Sequence, residues 1–246
     1  MFIIWVCMCP VLAADTLTIV ADPWCPYNCK PGSELPGYGI EIAKYAFGKA
    51  GHKVTYKNIN WARAILDTKA GQYTGIVSAY KEDAPGFIFP DEAFGIAKVG
   101  IFTAKENDWT FTDLRSLKEL DRIGIINGYA YGKKPMAFIH QNQTLFDLAT
   151  GDNALAKNIR KLNLGRINGV FEDPNVFMMT ATKLGLQNKV KLTGIVYEGG
   201  NLYIAFSPAL PKSQEYAEIL SSGIRELIKT GKIHNIMKKY GLKYWR

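Results

Sequence analysis

The sequence predicts an α/β protein built of two units with a ligand cleft between them. Three observations carry that expectation. Strand-like and helix-like periods alternate along residues 17–79, a second alternating set begins after Phe111, and 246 residues are enough for two modest cores.

The first set opens at residues 17–21, where alternation and β-branching read as a strand. Residues 22–37 follow, crowded with Pro, Gly, Cys, Trp24 and Tyr27, and read as a structured loop. Ile40, Ile42, Ala43, Ala46, Phe47 and Ala50 recur near the helical period, and Gly51 ends that helix. Residues 54–57 are the next strand. Asn60 can cap a helix carrying Trp61, Ala64 and Ile65, Gly71 closes it, and residues 75–79 form a third strand. Such an order means parallel strands joined by helical crossovers, with ligands collecting at the C-terminal strand ends.

The second set comprises a helix over 112–120, a strand over 122–126, a turn over 127–132, a helix over 152–162, a strand over 167–172 and a helix over 174–184. Residues 202–206 are one more strand, after the flexible pair Gly199-Gly200.

A chain that is 48% hydrophobic and 21% charged is neither disordered nor low-complexity. Its net charge of +8 invites a nucleic-acid or anionic-membrane partner. The distribution weakens that reading, because the surplus lies largely in residues 204–246, where 8 basic side chains face 3 acidic ones as solvated helix faces. With no zinc-finger cysteine pairs and no P-loop, no nucleic-acid partner is expected.

Residues 2–14 carry no charge, and their apolar run is shorter than the roughly 20 residues that span a bilayer. Residues 1–14 therefore read as a cleaved signal peptide, with the mature chain starting near Asp15 in the periplasm. Cys25 and Cys29 then stand in Cys-Pro-Tyr-Asn-Cys. In an oxidising compartment two nearby thiols favour a disulfide. Thioredoxin chemistry wants two intervening residues and zinc wants four ligands, while His52, His140 and His234 stand in unrelated contexts. No metal site or cofactor is expected.

Several strings, in order, resemble a known family: Gly37-Tyr38-Gly39-Ile40-Glu41-Ile42-Ala43, Ala70-Gly71-Gln72-Tyr73-Thr74-Gly75, Phe89-Pro90-Asp91-Glu92, Ser116-Leu117-Lys118-Glu119-Leu120, Gly165-Arg166-Ile167-Asn168-Gly169, and the C-terminal run from Gly231 to Gly241. Together they resemble the periplasmic solute-binding proteins of family 3, which include the polar amino-acid receptors of ABC importers. The resemblance covers essentially all of the mature chain. It implies the two-domain periplasmic-binding-protein fold, with domain I over 15–104 plus 204–246 and domain II over 105–203. Two hinge strands near 99–104 and 202–206 would join them. It also implies a monomer that captures a small polar or amino-acid-like ligand in the cleft and presents it to an ABC permease.

In amino-acid receptors of this family an Arg of domain I forks onto the ligand carboxylate, shortly before a Phe-Ser-Asp string. Here the stretch 78–87 holds no Arg, and Lys81 lacks the planar fork. Arg63 is the nearest substitute, with an ordinary exposed helix Arg as the competing reading. The family's domain II turn matches Asn127-Gly128-Tyr129-Ala130-Tyr131, which keeps the glycine but has phenols in place of a hydroxyl; its backbone N–H groups suit an anion. Asp173 matches the residue that pairs with a ligand amine, and it also suits the cap of the helix opening at Pro174. Trp24, Tyr27, Trp61, Tyr80, Tyr129 and Tyr131 all fall at the edge where ligands collect, and their rings can box a ligand amine.

Two other functions remain open on the same scaffold. One is a ligand-sensing module for a separate membrane signalling partner. The other is a cyclic-carboxylate dehydratase-like enzyme, for which Glu41, Glu172 and Asp173 are available but stand in no recognisable catalytic string.

Overall fold

The computed structural model describes residues 14–151 and 153–245. The leader expected over 1–14 lies outside them apart from Ala14. The first lobe is built on β1 (Thr16–Ala21), which pairs in parallel with β2 (Lys53–Asn58) on one side and β3 (Gly75–Ala79) on the other. Helices α1 (Tyr38–Lys49) and α2 (Trp61–Lys69) make the crossovers. Asn60 caps α2, its Oδ1 accepting from Arg63 N at 3.3 Å. The buried stripe Ile40, Ile42, Ala43, Ala46 and Phe47 packs α1 into the core, and Gly223 lies directly against Ala46. That glycine lets the long C-terminal α6 (Ser213–Lys229) approach α1 closely.

In the second lobe β5 (Ile123–Ile126) pairs in parallel with β6 (Phe146–Ala149) and β7 (Gly169–Glu172). Helices α3 (Lys133–Gln141), α4 (Ala154–Asn163) and α5 (Pro174–Lys183) belong to this lobe. Phe102 and Phe177, both wholly buried, stack with centroids 3.7 Å apart. The chain closes with the short α7 (Lys232–Lys238).

Two antiparallel strands join the lobes: β4 (Gly95–Ala104) and β8 (Val190–Phe206). The last residues of β8 pair with β3, and the later part of β4 pairs with β7. One mixed sheet results, in the order β2-β1-β3-β8-β4-β7-β5-β6. The apolar clusters respect this division. One gathers buried residues up to Ala97 and from Leu202 onward, together with Val176; two others gather buried residues between Val99 and Val190. Among the described residues no helix is long and apolar enough to cross a membrane.

Two sequence expectations change, and two elements appear where the sequence reading named none. The helix expected over 112–120 is a single 3-10 turn, Ser116–Glu119. Asp113 Oδ1 accepts from Arg115 N at 2.7 Å and Ser116 N at 3.2 Å, the bonds of a helix cap, so no turn starts before it, and Leu120 is already extended (φ −94°, ψ 139°), which leaves room for one turn only. The strand expected over 202–206 is only the end of the 17-residue β8, and Gly199-Gly200 lies inside it rather than before it. Finally, α3 and β6 occupy a stretch whose periodicity is weak and whose helix opens on Lys-Lys-Pro. Pro135 is tolerated because first-turn N–H groups have no intrahelical partner.

The β4/β8 pairing slips register between Ala97 and Val99, opposite the two glycines. Gly199 has φ +126°, and a Cβ there would lie 2.8 Å from Ala97 O. Replacing Gly199 by Ala is expected to cost about 1–3 kcal/mol. Calorimetry should register this as a melting temperature lower by several degrees; an unchanged melting temperature would show that this crossing tolerates a side chain.

Candidate ligand-binding site

The C-terminal ends of β1, β3, β5 and β7 converge on one cavity. After β1 the chain runs through Asp22 to a tight loop in which Trp24 N donates to Asn28 O at 2.8 Å. The Cys25–Cys29 disulfide closes that loop. Trp24 stacks on Tyr27 with centroids 4.4 Å apart. Asn28, wholly buried, locks the loop to its surroundings: Nδ2 donates to Asp22 O at 2.6 Å and Tyr56 Oη at 3.0 Å, and Oδ1 accepts from Ser78 Oγ at 2.6 Å. Ser78 has φ +67° where β3 breaks register, a bulge that helps aim the following residues. After β5 the turn 127–132 is pinned by Ile126 N donating to Tyr131 Oη at 2.7 Å.

The cavity is lined by Trp24, Trp61, Tyr80, Tyr129 and Tyr131, and by four acids, Asp22, Asp83, Glu172 and Asp173. It encloses about 450 Å³ including its mouth. Hydrogen bonds between the lobes cross it. Trp24 Nε1 donates to Glu172 Oε1 at 2.8 Å, Tyr27 Oη to Asp173 Oδ2 at 3.0 Å, Tyr129 Oη to Asp22 Oδ2 at 2.6 Å, and Ala130 N to Asp83 Oδ1 at 3.1 Å. In each pair the acid comes from one lobe and the donor from the other.

Burial governs the electrostatics. Loss of water pushes the Glu172 carboxyl up to about 8 and that of Asp83 up to about 7, against the lowering effect of the N–H groups they accept from. Asp173 is raised for the same reason. The phenols of Tyr27, Tyr129 and Tyr131 are also driven upward by burial.

Six of the sequence-derived candidates meet here: Trp24, Trp61, Tyr80, Tyr129, Tyr131 and Asp173 line the cavity. Tyr27 lies behind Trp24 and braces Asp173. Arg63 is elsewhere: its side chain is 71% exposed and pairs with Asp67 at 2.9 Å along α2. Asp173 is also the cap of α5, with Oδ1 accepting from Asn175 N and Val176 N, so both of its oxygens are engaged. Sequence reasoning passed over Asp22 and Asp83 and gave Glu172 no binding role. The strand-end rule that selected Tyr80 selects them equally, since Asp22 follows β1, Asp83 follows β3 and Glu172 ends β7.

Glu172 and Asp83 hold protons in the folded protein that the unfolded chain would release near pH 4 to 5. The native state therefore binds more protons across pH 5–8, and stability falls as pH rises through 7 and 8. The effect is on the order of a few kcal/mol. Scanning calorimetry should show a melting temperature that declines from pH 5 to pH 8.5, and Glu172→Gln should flatten the decline. A melting temperature that rises over this range would contradict the assignment.

The sequence profile of the bacterial extracellular solute-binding proteins, family 3, matches residues 17–243. No curated protein sequence matches significantly. Among solved structures, an ancestral arginine-binding protein bound to arginine is similar with a TM-score of 0.75 at 21% identity, over 92% of this chain and 97% of that one. An amino acid ABC transporter substrate-binding protein from Streptococcus pneumoniae, bound to L-arginine, gives 0.71 at 18% identity over 93% and 95%. A histidine kinase sensor domain with similarity to periplasmic binding proteins gives 0.76 at 17% identity over 92% and 95%. At these identities the structures speak for the fold, while the profile spans nearly the whole described chain. The chain belongs to the bacterial extracellular solute-binding proteins, family 3.

Proposed function

We propose that this protein captures a small amine-bearing solute between two domains, residues 15–104 with 204–246 and residues 105–203, and delivers it from the periplasm to an ABC permease. The observation that carries this reading is a cavity walled by aromatic and acidic side chains from both lobes. A solute touching both walls binds the closed arrangement better than the open one, so its binding energy becomes a change of shape. The two crossing strands offer the pivot, because the β4/β8 register slips between the two apolar cores. Two of the similar structures hold bound arginine, which supports a solute carrying a cationic group.

The family and the similar structures are binding proteins, and the solute is expected to leave unchanged. A second reading, sensing for a membrane kinase, draws support from the similar histidine kinase sensor domain. Uptake of labelled solute by cells with and without the gene separates the two, because transport requires that uptake fall when the gene is lost.

A thermal-shift screen of amino acids, amines and small peptides should reveal a solute that raises the melting temperature with concentration. Trp24→Ala and Asp173→Ala should each weaken its binding at least tenfold by calorimetry. Unchanged affinity in both variants would remove the cavity as the binding site.

A further inference from the structure

The cavity contains four carboxyl groups and, among the described residues, no arginine. The ammonium of Lys98, the one basic side chain in the lining, pairs with Glu198 at 2.8 Å in a side chain that is 49% exposed. The backbone N–H of Ala130, which could hold an anion, already donates to Asp83 Oδ1. Part of the chain itself thus fills the place a ligand carboxylate would take. Glu172 presents the opposite case. Only 2% exposed, it uses Oε1 to accept from Trp24 Nε1 and Asp173 N, while Oε2 is buried with no hydrogen-bond partner among the described residues. An unpaired buried carboxylate oxygen is costly, and a donor arriving from a ligand would relieve it. Around it stand the rings of Trp24, Trp61, Tyr80, Tyr129 and Tyr131, whose faces attract cations.

From this arrangement we infer that the site selects a small organic cation without a carboxylate, an amine or guanidinium on an aliphatic stem, with Glu172 Oε2 as its countercharge. The inference rests on the receptor reading above and narrows it. A ligand carboxylate would enter a chamber of like charge with its backbone donor occupied, whereas a bare cation meets an open acceptor and aromatic walls.

Protons must leave as the cation enters. The groups facing Glu172 are Asp22 and Trp24 after β1, Tyr80 and Asp83 after β3, Tyr129 and Tyr131 after β5, and Asp173 beside it, with Lys98 and its partner Glu198 on the crossing strands. Glu172 and Asp83 hold protons near neutral pH because they are buried. A permanent cation competes with those protons, so its affinity rises with pH between 6 and 8.5.

The test compares amino acids with their decarboxylated counterparts, arginine with agmatine and ornithine with putrescine, by calorimetric titration at pH 8. The amine of each pair is expected to bind at least tenfold more tightly, with several-fold weaker binding at pH 6. Glu172→Gln should reduce agmatine affinity at least tenfold. Asp83→Ala, which vacates the Ala130 N–H, should narrow the gap between arginine and agmatine by about tenfold. Equal or tighter binding of the amino acids overturns the inference. Binding of only neutral or acidic amino acids also overturns it and leaves the receptor reading standing. No binding from the whole panel of solutes overturns both.

Discussion

Four acids gathered where strands run out, Glu172 and Asp173 buried and Asp22 and Asp83 half-buried, set the character of this molecule. Asp22, Asp83, Glu172 and Asp173 each accept a hydrogen bond from the opposite lobe. The lobes meet across the cavity through polar contacts. An apolar seam would stay shut, because reopening it costs roughly 25 cal/mol for every Å² returned to water. A polar seam behaves differently: carboxyl groups and phenols that part regain water, so closing and opening stay nearly balanced. A binding protein whose ligand comes and goes needs that balance.

The rest of the fold places those acids. Parallel pairing of β1 with β2 and β3, and of β5 with β6 and β7, sends strand ends in each lobe toward the same gap. The Cys25–Cys29 loop and buried Asn28 fix Trp24 on one side, and the pinned turn at Tyr131 fixes Tyr129 and Ala130 on the other. Separate apolar cores let each side keep its own shape while β4 and β8 run between them.

Much of the fold was legible because its signals are local. The β1–α1–β2–α2–β3 alternation, the Asn60 cap and the Asp173-Pro174 helix start all rest on residues near one another in sequence. Part of what failed was non-local. The first half of β8 forms because β4 lies beside it, and nothing within the run from Val190 to Gly200 announces that partner. The helix expected over 112–120 failed for a local reason: Asp113 caps a turn that Leu120 ends by turning extended, and periodicity alone does not mark either limit. At the site, aromatic residues clustered at strand ends could be selected from sequence. The role proposed for Glu172 could not, since it depends on one oxygen paired across 148 positions with Trp24 and the other without a hydrogen-bond partner among the described residues.

The central claim is that acids from both lobes share one gap and stay close only while protons, or a bound cation in their place, offset their charge. Small-angle scattering of the solute-free protein at pH 5.5 and pH 8.5 tests it most directly. The account predicts a compact particle at the lower pH, a larger radius of gyration at the higher pH, and a return to the compact value when agmatine is added at pH 8.5. One invariant profile under all three conditions would contradict it.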